Sequence, residues 1–138
     1  MITTSMLAPP GPKGPKVLLV DDEELILDLI RHMLKNLEPR HVDIDERCFS
    51  ALAKLQKKPD YYDIIISDWD VPGLNGLEFL KKAKQIAPDV PFIMVTANSS
   101  ERLVKRAIEE GVDDYVVKPF TAKSLIDKVE RVLSVEAA

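Results

Sequence analysis

Hydrophobic and polar positions follow two rhythms along this chain. Four short runs are almost wholly apolar: residues 17–20 (VLLV), 63–66 (DIII), 92–95 (FIMV) and 115–117 (YVV). Runs of that length with few polar interruptions are expected of parallel strands buried on both faces. A weaker run at 42–44 is read as a strand because it falls between two helical segments. Between the runs the period lengthens to three and four residues. Leu25, Ile26, Leu29, Ile30, Met33, Leu34 and Leu37 form one stripe, and Ala51, Leu52 and Leu55 a second. Leu77, Leu80 and Ala83 form a third, Leu103, Val104, Ala107 and Ile108 a fourth, and Leu125, Ile126, Val129, Val132 and Leu133 a fifth. Pro39 and Pro88 follow helices, and Gly111 sits where a helix end needs positive φ. Five strands alternating with five helices predict an α/β fold, a parallel sheet in the middle of a three-layer sandwich.

Composition narrows this reading. The 138 residues suit one domain; 46% are apolar and 30% charged, with a net charge of −4. Mild acidity argues against direct binding of nucleic acid, and no apolar run is long enough for membrane insertion. The single cysteine, Cys48, can form no internal disulfide and reads as an ordinary buried or half-buried thiol, with a cytoplasmic location as the default. Residues 1–15 hold four prolines and two glycines between Pro9 and Pro15 and are expected to be a flexible tail. The domain is expected to run from 16 to 135, with 136–138 as a C-terminal tail.

In sheets of this class, ligands bind beyond the carboxyl ends of the strands. The first strand leads into Asp21-Asp22, the third into Asp68-Trp69-Asp70, the fourth into Thr96-Ala97 and the fifth into Lys118-Pro119. Taken singly, each has a structural reading: Asp21 or Asp22 as a helix N-cap, Asp68 capping a loop, Thr96 in a turn, Lys118 as a solvated lysine. Together they assemble carboxylates, a hydroxyl and an ammonium at one edge. Carboxylates hold Mg²⁺, and the ammonium and hydroxyl suit a phosphoryl group, whose transfer depends chiefly on positioning and charge.

The stretches VLLVDDE, IIISDWDVPGLNGLEFL, FIMVTA and DDYVVKPFTAKSL resemble, in order and spacing, the receiver domain of response regulators, especially the single-domain chemotaxis regulators. That resemblance implies a flavodoxin-like (βα)5 fold of strand order 2-1-3-4-5. It also implies that Asp68 accepts a phosphoryl group from a histidine kinase or a histidine phosphotransfer protein. Asp21, Asp22 and Asp68 would bind Mg²⁺ with the backbone carbonyl of Asp70. Thr96 and Lys118 would contact the phosphoryl group, Tyr115 would switch with Thr96, and the Lys118–Pro119 bond would be cis. Two other readings fit parts of the pattern. One is a haloacid-dehalogenase-like phosphatase using Asp68 and Asp70, although its acidic pair would normally follow rather than precede the Asp-x-Asp. The other is a docking receiver that works without phosphorylation.

Two departures from the family's commonest pattern stand out: Asn75-Gly76 for Asp-Gly, and Cys48 where glycine is frequent. Little change is expected at Asn75, which tolerates the same turn conformations. The side chains of Asp70 and Asn98 are expected to flank the phosphorylation pocket and set how fast water reaches it. The output surface is expected on the fourth helix, with Glu101, Arg102, Lys105, Arg106 and Glu109 outward, together with Tyr115 and the fifth helix. A phosphorylation-dependent dimer is compatible with such a face. His32 and His41 read as surface residues.

Overall fold

A computed structural model of the chain describes residues 14–71, 73–97 and 100–137. Five parallel strands, β1 (Lys16–Val20), β2 (His41–Asp45), β3 (Ile64–Asp68), β4 (Phe92–Thr96) and β5 (Asp114–Val117), form one sheet. Their spatial order is β2-β1-β3-β4-β5, every neighbouring pair parallel. Helices α1 (Glu24–Leu34), α2 (Cys48–Lys57), α3 (Gly76–Ile86), α4 (Glu101–Glu109) and α5 (Ala122–Ala137) alternate with them.

The alternation of side chains along β1 divides the core in two. Leu18 and Val20 join the cluster under α2, α3 and α4, with Cys48, Leu55, Phe79 and Phe92. Val17 and Leu19 join the cluster under α1 and α5, with Ile30, Leu34, Leu125 and Val129. Central strands β3 and β4 are buried along their whole length, whereas edge strands β2 and β5 are buried only in part. Phe79 and Phe92, both wholly buried, meet edge to face with ring centroids 5.6 Å apart. Burying a side chain of that kind contributes roughly 1.5–3 kcal/mol.

Several details differ from what the pattern predicts. A two-stranded hairpin, Asp70–Val71 with Leu74–Asn75, follows β3. Asn75 is extended (φ −72°, ψ 162°), and its side chain accepts the Glu78 N–H at 2.8 Å, so it caps α3 rather than making a turn. Leu25, Leu29 and Ile108 face outward because their helices carry apolar stripes wider than the face that meets the sheet. A 3-10 turn, Lys35–Leu37, ends the first helical segment. Helix α5 runs on to Ala137, so residues 136–137 belong to it and not to a tail. Cys48 is buried and begins α2. Gly111, at φ +99°, ends α4 as its position predicts, with the Val112 N–H returning to the Ala107 carbonyl. Most of the proline-rich segment, residues 1–13, lies outside the described residues, as does Asn98.

Candidate functional site

Each strand end delivers its residue to one spot because the parallel register aligns them. Asp68 pairs with Val95 in the ladder, and Thr96 with Val117. Beyond the ladder, the Lys118 N–H donates to the Thr96 carbonyl at 2.8 Å, and the Asp21 N–H to the Asp45 carbonyl at 3.1 Å. The peptide bond before Pro119 is cis. Asp21, Asp68 and Thr96 are all buried.

Lys118 reaches into the middle of an acidic group. Its Nζ lies 3.1 Å from Asp68 Oδ1, 3.7 Å from Glu23 Oε1 and 3.9 Å from Asp21 Oδ2. Asp21, Glu23 and Asp68 each offer an oxygen within 4.8 Å of the others. One ammonium thus faces three carboxylates. Burial, reinforced by the charge of Asp68, pushes the Asp21 carboxyl up to about 6, against the opposing pull of the Glu23 N–H and Lys118. Burial also raises Asp68, against the counter-pull of Lys118. For Lys118 burial acts downward, but its bond to Asp68 and the charges of Asp21 and Glu23 outweigh it, and the ammonium is held above its usual range.

Asp21 Oδ1 accepts the Glu23 N–H at 2.9 Å, while its buried Oδ2 has no hydrogen-bond partner. A buried carboxylate oxygen left this way costs free energy. A hard divalent cation with oxygen ligands matches both that oxygen and the excess negative charge, so the residues fit Mg²⁺.

Asp22, by contrast, is exposed and stands outside the carboxylate group. Glu23 occupies the place beside Lys118 instead. Glu23 precedes the first turn of α1, and its signal in the sequence is the unbroken acidic run from Asp21 to Glu24. Asp70 is exposed in the hairpin, opposite Asn75. Thr96 and Tyr115 meet across a small apolar cavity whose other walls are Trp69, Met94, Leu103, Val104 and Ala107. Lys128 Nζ lies 5.0 Å from the Tyr115 ring centroid and donates to the Tyr115 carbonyl at 2.7 Å. Glu101, Arg102, Lys105, Arg106 and Glu109 are exposed on α4, and His32 in α1 and His41 at the start of β2 are exposed as well.

The sequence profile of the response regulator receiver domain matches residues 17–130. The chain is 32% identical over 122 residues to the chemotaxis protein CheY-3 of Vibrio cholerae, covering 87% of this chain and 92% of that protein. Among solved structures it is similar to a CheY-like receiver domain protein from Methanospirillum hungatei, with a TM-score of 0.80 and 29% identity, covering 88% of this chain and 95% of that one. It is also similar to the receiver domain of a Pseudomonas aeruginosa sensor histidine kinase, solved with a magnesium ion in its active-site cleft. That match has a TM-score of 0.77 and 27% identity, over 88% of this chain and 98% of that one. The chain belongs to the response regulator receiver domain family, and its fold and relatives mark it as the chemotaxis type. It is a two-component signalling domain and not a classical enzyme. No helix among the described residues is long and apolar enough to cross a membrane.

Proposed function

We propose that Asp68 is the phosphoacceptor of a Mg²⁺-dependent switch. The observation that carries this reading is the buried Asp68 carboxylate 3.1 Å from Lys118, beside the unpartnered Asp21 Oδ2. An Asp68 oxygen attacks the phosphorus of a phosphohistidine on a histidine kinase or a histidine phosphotransfer protein. The P–N bond breaks as the acyl phosphate O–P bond forms, and imidazole leaves. Lys118, already at the carboxylate, neutralises charge on the arriving phosphoryl oxygens. Bound Mg²⁺ supplies further charge neutralisation on those oxygens. Asp21 and Asp68 would hold it, with Asp22 and the Asp70 carbonyl as the family pattern implies. The magnesium seen in the Pseudomonas receiver supports this assignment.

Thr96 then engages the phosphoryl group and Tyr115 moves toward the cavity it shares with Thr96. That movement changes the face formed by α4, β5 and α5, through which the domain binds its target, whether another protein or a second copy. The setting is cytoplasmic, where histidine kinases present their phosphohistidine. Water attack on phosphorus ends the signal, at a rate set by Asp70 and Asn98; unchanged lifetimes in both Asp70→Asn and Asn98→Ala would sink that part. Against a phosphatase stands the order of the acids: the pair such an enzyme carries after its Asp-x-Asp comes before it here, at Asp21-Asp22.

Acetyl phosphate, or beryllofluoride with Mg²⁺, tests the reading by intact mass and by the fluorescence of Trp69, the chain's single tryptophan and the neighbour of Asp68. A lasting, Mg²⁺-dependent adduct on Asp68 is expected. Multiple turnover of phosphate esters would favour the phosphatase, and no response to either reagent a docking receiver.

A further inference from the structure

At the opposite end of the sheet lies a second depression, of about 260 Å³, between β2, the end of α2 and the segment entering β3. Lys54, Lys57, Lys58 and Tyr61 are among the residues that line it. The carboxylate inside it, Asp43, is fully engaged. His41 Nε2 lies 2.7 Å from Asp43 Oδ1, and the Tyr62 hydroxyl donates to Oδ2. Burial pushes Asp43 up, but those two bonds outweigh it and hold the carboxyl below its usual range. Asp43 is therefore a capped anion built into the wall.

The ammonium groups are less committed. Lys54 is engaged, with Asp45 Oδ2 at 3.0 Å and the Ile44 carbonyl at 3.4 Å. The Lys57 side chain has neither ion pair nor hydrogen bond among the described residues; Lys58 stands over the Tyr61 ring at 5.2 Å, and Lys16, which does not line the groove, stands over the same ring at 4.7 Å. Lysines commonly end helices, where they complement the dipole. That habit accounts for their charge but not for the half-buried ring and tied carboxylate beneath them. Positive charge on flexible stems beside an aromatic plane suits a phosphate ester that carries a planar ring. The volume lies just below the roughly 300–1,000 Å³ of enclosed small-molecule sites, so the groove would cover a nucleotide only in part.

We propose that this groove binds a nucleotide, its phosphate held by Lys57 and Lys58 and its base against Tyr61. The site is independent of the Asp68 reading, being built from other residues at the far end of the strands.

Calorimetric titration of the whole chain with AMP, ADP, ATP, ribose 5-phosphate and inorganic phosphate tests it. Saturable nucleotide binding is expected, tighter than for either ring-free phosphate and weaker at high salt. Lys57→Ala/Lys58→Ala, two exposed positions, should weaken it by about tenfold or more, as loss of charge-assisted contacts implies. Tyr61→Leu should weaken it where Tyr61→Phe does not, and Lys118→Ala should leave it unchanged. The proposal is overturned by absent saturation at millimolar nucleotide or by equal affinity for ribose 5-phosphate. Binding lost in Lys118→Ala but kept in the double lysine variant would overturn it as well.

Discussion

At the carboxyl ends of the strands three carboxylates crowd one lysine, whereas at the amino ends of β2 and β3 three lysines line a groove whose carboxylate, Asp43, is tied to His41 and Tyr62. The two acids at the centre of these groups respond in opposite directions. Asp43 has both oxygens bonded and is held below the ordinary carboxylate range. Asp21 has one oxygen bonded and is pushed up to about 6. Burial acts upward on both, more on the wholly buried Asp21, which also faces Asp68, while Asp43 is half-exposed and has a partner at each oxygen. A satisfied buried acid serves the architecture, while one left short of partners is poised for a cation or a chemical event.

The contrast can be broken most decisively at Asp68. Asp68→Asn should abolish the acetyl phosphate adduct entirely, read by intact mass, with the fold retained by circular dichroism. The next largest effect is on stability against pH. The folded Asp21 pKa of about 6 exceeds its ordinary 3.8, so protonation favours the folded chain. Its contribution is complete below pH 3.8 and is lost as pH rises through 6. Urea unfolding of the metal-free chain should therefore give a free energy lower at pH 7.5 than at pH 4 by on the order of 2–3 kcal/mol from this group. Asp21→Asn should flatten that dependence, and saturating Mg²⁺ should offset it at neutral pH.

Smaller effects sharpen the architectural side. A Cβ at position 76 would lie 2.7 Å from the Trp69 carbonyl oxygen and 2.9 Å from its Cα. Gly76→Ala should cost about 1–3 kcal/mol in urea unfolding, the range for overpacking against atoms that cannot move aside. Tyr62→Phe removes one of the two donors to Asp43 and should cost about 1 kcal/mol. That loss should shrink as pH falls below the ordinary carboxylate range and Asp43 takes up its proton.

The strands were legible because a strand buried on both faces has to be an unbroken apolar run, as 92–95 is within β4. Their order and the roles of Asp68, Thr96 and Lys118 came from resemblance, which reads motifs as a set. What escaped lacks a periodic signature. The hairpin after β3 has strands of two residues each, too short to alternate visibly. Leu25, Leu29 and Ile108 obey helical spacing yet face outward, since spacing defines a stripe but not its useful width. Asp22 and Glu23 are neighbours in the chain, and which of them turns toward Lys118 depends on how α1 begins. The lysine groove joins β2, the end of α2 and the entry to β3, three segments with no shared pattern.

The tight approach of Gly76 to Trp69 also gives the site a direction. Trp69, next to Asp68, is backed on one side by the first turn of α3 at van der Waals limits. On its other side it borders the hollow shared with Thr96 and Tyr115. The strand end that carries Asp68 thus meets α3 through a contact with no space for one added carbon, and meets α4 and β5 across a small hollow.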